Sequence, residues 1–272
     1  FTYIGTTDTD YDGPVDDPQC TAEDVEYLLS ALNFSCTTEI TPADVVGTWA
    51  GLRPLVKSAS SGRTADLSRR HKVATSDSGV VTITGGKLTT YREMAADTVD
   101  EVVESVLAAG SGFAGYPGSS TKRLRLRGTA GYDTIGLAAE AFPAVPLDVV
   151  EHLGNRYGGE ARELMAAIQQ DPSLLEPVVA GLPYTRAEVE YAVRHEMAGD
   201  VDDVLSRRTR ARLLARDDSA DAADAVAATI GAHLDTPATV LETQVEEYQS
   251  SVRHERTAAD LPETHLDALI GA

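Results

Sequence analysis

Apolar residues recur at steps of three and four along Tyr91, Met94, Ala95, Thr98, Val99, Val102, Val103, Val106 and Leu107. That period predicts an amphipathic helix with one buried face, ended by Gly110. Just ahead of it, Val80, Val81, Thr82 and Ile83 are β-branched and predict a buried strand. Gly85 and Gly86 lie between the two and leave the backbone bare of Cβ atoms, so another molecule can approach. Thr90 and Glu93 have the T-x-x-E spacing of a capping box at the start of the helix. The expected unit is strand, glycine pair, helix.

The remaining pattern divides in two. Residues 1–7 read as a short strand. Thr21 caps a helix carrying Val25, Leu28, Leu29 and Leu32 on one face, and Thr41-Pro42-Ala43-Asp44 starts a second capped segment leading into Val45-Val46-Gly-Thr-Trp49. Residues 58–64 are rich in Ser, Gly and Ala and read as a loop, residues 67–73 as strand, and Ser76-Asp-Ser-Gly79 as the turn into the Val80 strand. Between Gly110 and Ser120 the composition shifts to Gly, Ser and Pro, marking a domain boundary. Beyond it the periodicity is helical at Pro146–Leu153, from Glu160, from Thr185 with its own box to Glu188, from Asp221 and from Pro237. The expected domains are 1–115, 121–257 and a tail over 258–272.

Composition narrows the class. At 272 residues the chain can bury one large core or two smaller ones. Hydrophobic residues make up 42%, and no apolar run approaches the roughly 20 residues needed to cross a bilayer. A net charge of −20 argues against a nucleic-acid surface, which needs a basic face. Cys20 and Cys36 have no histidines at metal spacing and read as reduced thiols. The chain begins at Phe1 and moves directly into strand-like sequence, so we expect a piece of a longer protein.

The candidate chemistry centres on the glycine pair. Unpaired N–H groups and the positive end of the helix dipole would point past Gly85 and Gly86, and Lys87 adds a full charge. That suits an anion or an electron-rich ring; a plain tight turn is the structural alternative. Arg53 is presented between Gly51 and Pro54, and its planar fork fits a phosphate or carboxylate, with an internal ion pair as the alternative. Arg69, Arg70, His71 and Lys72 form a basic cluster that either pairs with carboxylates at a strand edge or meets a ligand. The run Asp8-Thr-Asp10-Tyr-Asp12-Gly13 opens like a calcium loop but has Gln19 where a bidentate Glu belongs, so it reads as a solvated turn and no metal is expected. His195 beside Glu196 reads as a satisfied interhelical histidine, since adjacent helix positions do not face each other.

Taken together, Ile4-Gly-Thr-Thr-Asp8-Thr, Trp49-Ala-Gly-Leu-Arg53-Pro-Leu55, Ser68-Arg-Arg-His71 and Gly85-Gly-Lys-Leu-Thr-Thr-Tyr-Arg92 resemble the FAD-dependent glycerol-3-phosphate dehydrogenases. Glu188-Val-Glu-Tyr-Ala-Val-Arg-His-Glu196 and Asp203-Val-Leu-Ser-Arg-Arg-Thr-Arg210 resemble that family's C-terminal helical domain, and the order agrees over roughly residues 1 to 255. The resemblance implies a partial FAD-dependent oxidoreductase of the D-amino-acid-oxidase-like type. Its α+β or α/β part comprises the distal substrate domain and the strand that returns to the flavin, and an all-α domain follows. It implies oxidation of sn-glycerol 3-phosphate to dihydroxyacetone phosphate, with FAD as cofactor, a quinone as electron acceptor, and a cytoplasmic location with peripheral membrane contact. Gly85, Gly86, Leu88 and Thr89 would line the flavin, whereas Arg53 and Lys87 would hold the substrate phosphate or polarise its oxygen.

The family's nucleotide-binding G-x-G-x-x-G signature is absent from this sequence, so the chain reads as the C-terminal half, inactive by itself, with the catalytic proton acceptor in the other half. Two other readings stand beside this one: a folded interaction module without catalysis, and a flavin oxidoreductase for another hydroxy or amino acid. Paired Arg53 and Lys87 favour a doubly charged phosphate over a carboxylate.

Overall fold

The computed structural model describes residues 1–54, 70–107 and 117–270. Leu55, the 58–64 loop, Leu67, Ser68, Arg69 and the helix end at Gly110 lie outside the described residues. The chain divides into two compact units, one formed by Phe1–Gly51 with Arg127–Ala272, the other by Leu52–Leu126.

The first unit is helical. It contains α1 (Ala22–Asn33) and, in the second unit's sequence shadow, resumes with α3 (Ala138–Ala141), α4 (Leu147–Tyr157), α5 (Ala161–Gln170), α6 (Arg186–His195), α7 (Ala211–Leu214), α8 (Arg216–Asp221), α9 (Ala223–Leu234), α10 (Ala238–Ala258) and α11 (Leu266–Ile270). Thr21 caps α1 as expected, and with Asp24 it closes a capping box, the Asp24 carboxylate accepting the Thr21 N–H at 3.0 Å. The largest core cluster joins Val189, Ala192, Leu205, Val226, Ile230, Tyr248 and Val252. A second gathers Val150, Leu153, Leu164, Met165 and Ile168 between α4 and α5. Each fully buried leucine or isoleucine there is worth about 1.5–3 kcal/mol.

Three expectations change in this unit. Residues 1–7 form no strand, because no neighbouring strand among the described residues supplies a ladder. The Thr41 start yields a single 3-10 turn, Pro42–Asp44, after which Val45 becomes extended. Of the stretch read as a tail, the described part packs: Ala259 and Leu261 lie with Val25, and Leu266 is buried. The polar residues of that stretch hid its role, since they bond inward. The Thr264 N–H reaches Asp217 at 3.0 Å and the Leu266 N–H reaches Asp218 at 2.8 Å. The first 51 residues also group with the helices rather than with the glycine-pair region.

The α6 start shows how charge is buried in this unit. Glu188 is 1% exposed and accepts the Thr185 N–H at 2.7 Å, as the T-x-x-E spacing predicts. The same carboxylate lies 3.1 Å from His152 Nε2, 3.2 Å from the Tyr157 hydroxyl and 3.3 Å from Arg156 Nε. Burial, and then the Glu188 charge, raise the Tyr157 pKa, keeping the phenol a donor.

The second unit holds a hairpin and one long helix. Strands β1 (Lys72–Thr75) and β2 (Val81–Thr84) pair antiparallel, Val73 facing Ile83. Helix α2 (Tyr91–Glu101) continues as a π-helical stretch, Val102–Leu107. None of the described residues of this unit is buried. Tyr91 and Val99, expected on a covered face, are 59% and 46% exposed.

Two stability predictions follow from the helical unit. Glu188→Ala strands Arg156, His152 and the Thr185 N–H, and should cost about 3–5 kcal/mol in denaturant unfolding, with Glu188→Gln costing less. His265 is held by Asp218 at 2.6 Å, and this hydrogen bond, followed by the charge of Asp218, raises its pKa. A raised folded-state pKa stabilises below the unfolded value of about 6.5 and loses that contribution as pH rises through the folded value. Hydrogen exchange over residues 261–266 should therefore quicken above that window, and His265→Ala should flatten the dependence.

Candidate functional site

Strand β2 ends at Thr84, and the chain then turns through Gly85 (φ 75°) and Gly86 (φ 88°). Both angles lie in the left-handed region that favours glycine. Packing adds a second demand at Gly86. A Cβ there would lie 2.4 Å from Met94 Sδ and 3.3 Å from His71 Cβ. Met94, one turn into α2, thus sits against the bare backbone, and the turn is fixed from behind by the helix it introduces.

The entry to α2 differs from the capping box expected at Thr90 and Glu93. A 3-10 turn, Leu88–Thr90, comes first. The Thr90 hydroxyl turns back, donating to the Lys87 carbonyl at 3.0 Å and accepting the Lys87 N–H at 3.3 Å, while Glu93 pairs with Arg92 at 3.2 Å. A hydroxyl satisfied one turn earlier is not available to the helix, so no side chain caps α2. At a helix start the N–H groups of Leu88 and Thr89 have no intrahelical carbonyl to reach, and they stay open to an acceptor. Lys87, Leu88 and Thr89 are all exposed, Leu88 at 87%.

The hairpin is stapled to α2 by side chains. His71 Nε2 lies 2.7 Å from Asp97, and the Thr75 hydroxyl donates to Glu101 at 2.6 Å. Within the basic cluster, His71 thus pairs with a carboxylate of the adjoining helix. Arg53 is exposed in the same compact unit, on a stretch without helix or strand. Leu55 of its motif and Ser68 and Arg69 of the other lie outside the described residues. The structure therefore brings Gly85, Gly86, Lys87, Leu88 and Thr89 into one turn and keeps Arg53 within that unit.

Other expectations resolve in the helical unit. His195 Nε2 lies 2.7 Å from Glu163, the interhelical pairing that its position suggested. Arg207 sits between Asp202 and Asp203 at 2.6 and 3.3 Å, and Arg208 reaches Asp203 at 2.6 Å. Among the described residues the group of three that could face one ion is Asp218, Asp221 and His265, remote in sequence from the run at Asp8. Cys20 and Cys36 are free thiols, and burial, then the Asp24 charge, pushes Cys20 up to about 11. No sequence signal marked Thr48, Arg212 and Glu255, which the fold joins across 207 residues.

Residues 119–239 match the profile of the C-terminal domain of alpha-glycerophosphate oxidase. The glycerol-3-phosphate dehydrogenase 1 of Mycobacterium tuberculosis is 41% identical over 223 residues, covering 79% of this chain and 40% of that protein. Glycerol-3-phosphate dehydrogenase 2 of the same organism is 36% identical over 255 residues, covering 93% of this chain and 42% of that protein. The crystal structure of the glycerol-3-phosphate dehydrogenase from Bacillus halodurans complexed with FAD superposes with a TM-score of 0.70 at 26% identity, covering 94% of this chain and 49% of that one. The fold is thus that of part of an FAD-dependent oxidoreductase, mostly helical with a small antiparallel sheet, so of the two expected descriptions α+β fits the region around the glycine pair. Within that class, the chain is a relative of the C-terminal part of the FAD-dependent glycerol-3-phosphate dehydrogenases. It spans about two-fifths of the length of the mycobacterial relatives.

The turn geometry makes a sharp prediction. Gly79 has φ 84° with nothing within 4 Å of a built Cβ, so Gly79→Ala meets backbone strain alone. Gly86→Ala meets that strain and Met94 together. It should destabilise residues 81–99 by about 1–3 kcal/mol more, measured by hydrogen exchange, and most of the difference should vanish when Met94→Ala is added.

Proposed function

We propose that this chain supplies one side of the active site of a flavoenzyme that oxidises sn-glycerol 3-phosphate to dihydroxyacetone phosphate. The observation that carries the reading is the Gly85–Gly86 turn. It delivers Lys87 and the uncapped start of α2 to one exposed place, in a chain similar to a dehydrogenase solved with FAD.

The residues present fit a flavin. Gly85, Gly86, Leu88 and Thr89 would hold it, two through backbone that carries no side chain and two through open N–H groups. When bound, FAD supplies the acceptor for the hydride leaving C2 of the substrate. The N–H groups of Leu88 and Thr89 and the positive end of α2 offer fixed stabilisation for negative charge placed against the turn. Lys87 and Arg53 bind and orient the substrate phosphate, Arg53 with its bidentate fork and Lys87 as a point charge. No residue of this chain is assigned as the proton acceptor; that group belongs to the nucleotide-binding half. Electrons pass on to a quinone, and the assembled enzyme works at the cytoplasmic face of the membrane in peripheral contact with it.

The test compares residues 1–272 alone with the same chain joined to a nucleotide-binding half. The lone chain should show neither stoichiometric flavin absorbance nor dehydrogenase activity, and the joined protein both. In the joined enzyme, Arg53→Ala or Lys87→Ala should raise KM for glycerol 3-phosphate about 10- to 100-fold, the equivalent of one charge-assisted contact. Unchanged kinetics would remove these residues from the site.

A further inference from the structure

Charge is divided unevenly along this chain. Residues 52–126, the smaller compact unit, hold eleven Lys and Arg against seven Asp and Glu, a formal surplus of four positive charges in a chain whose net charge is −20. Arg53 and Lys87 serve the substrate in the active site proposed for the enzyme. Lys122, Arg123 and Arg125 have no part in it, and they lie within four residues of sequence that also carry Leu124 and Leu126 at either side of Arg125.

This strip is presented rather than packed. A 3-10 turn, Thr121–Arg123, opens it and is held to α2 where Arg92 Nη1 donates to the Thr121 hydroxyl at 3.4 Å. Leu124 leaves the turn in extended backbone, φ −68° and ψ 124°, and residues 124–126 join no helix or strand. Residues 122–126 are all exposed, Leu124 at 67% and Leu126 at 68%. Lys122, Arg123 and Arg125 form no ion pair with another described residue. Elsewhere Arg127, Arg186 and Arg208 each lie within 3.0 Å of a carboxylate. An acidic chain offers such partners freely, so three unpaired cations in five residues mark a surface directed outward.

The interleaving of charge and leucine decides what that surface fits. A nucleic acid would use the cations and leave the leucines in water. At a bilayer both are satisfied: Lys and Arg lay their methylene stems along apolar surface and keep their charged heads at the lipid phosphates, while leucines enter the acyl boundary. Repulsion from the acidic remainder of the chain is screened beyond about 8 Å at physiological ionic strength, so a local basic strip can still adsorb. No helix of the described residues is long and apolar enough to cross a membrane, which leaves contact to the surface.

We propose that residues 122–126 are the strip through which this protein adsorbs to an anionic lipid surface. The inference gives a place to the peripheral membrane contact in the proposed function and rests on that contact, not on the flavin site.

The experiment sediments residues 1–272 with vesicles of phosphatidylcholine alone or of phosphatidylcholine mixed with phosphatidylglycerol. At about 0.1 M salt the chain should bind the mixed vesicles and not the neutral ones, and about 1 M salt, where the screening length falls to about 3 Å, should release it. Lys122→Gln, Arg123→Gln and Arg125→Gln together should weaken partition on the order of 100-fold, about fivefold for each charge. Leu124→Ser with Leu126→Ser should weaken it at least about tenfold and leave the salt dependence in place. Circular dichroism and thermal unfolding should match the parent, since these side chains are exposed; if the triple variant does not fold, Arg125→Gln alone decides the matter by its loss of about fivefold. Suppose the parent binds mixed vesicles and the folded triple variant binds equally well: the strip is then overturned and the peripheral contact stands elsewhere. If the parent binds neither vesicle, strip and contact fall together, while the flavin and kinetic tests at Arg53 and Lys87 are untouched. Binding to polyglutamate without binding to mixed vesicles would make the strip a site for an acidic polypeptide and overturn the lipid assignment.

Discussion

A carboxylate taken out of water costs several kcal/mol unless donors surround it, and the helical unit is arranged around that requirement. Glu255 joins α10 to Arg212 and to the backbone of Thr48. Glu188 joins the start of α6 to His152, Arg156 and Tyr157. Asp217 takes Arg216, Arg256 and the Thr264 N–H, and so ties α8 to the end of the chain. In each case one buried acid fixes segments far apart in sequence. Apolar packing around Leu153, Ile168, Leu205 and Ile230 supplies the bulk of the stabilisation, and the charged groups decide which segments meet.

The second unit works under a different constraint. Its hairpin and α2 have no buried residue among those described, and the contacts that hold them include His71 with Asp97, Thr75 with Glu101, and Met94 against Gly86. A core this small stabilises little by itself. Yet the same thinness leaves Lys87, Leu88 and Thr89 at the surface with open N–H groups. Leu88 and Tyr91 are exposed there.

The helices past residue 121 were legible because their apolar positions repeat at the helical period, and the Thr185–Glu188 box and the Thr21 cap were legible because their partners are local. The glycine pair was readable too, since positive φ leaves few alternatives. Thr90 was misread for a physical reason: its hydroxyl could serve either the N–H at residue 93 or the backbone of Lys87, and the 3-10 turn gave it Lys87. Residues 258–266 looked like a tail because polarity was taken for solvation. Their N–H groups and side chains face Asp217 and Asp218 instead.

By itself the sequence determined the elements whose causes are local: helix periods, short-range caps, the turn through Gly85 and Gly86, and the ordering of motifs that gives the resemblance. Tertiary structure alone decided that Thr48 meets Glu255, that Met94 closes on Gly86, and that the chain's end packs beside α1. The first and last of these pairings join residues more than 200 apart in the chain, and a buried charge carries no mark in the sequence of the partner that will satisfy it.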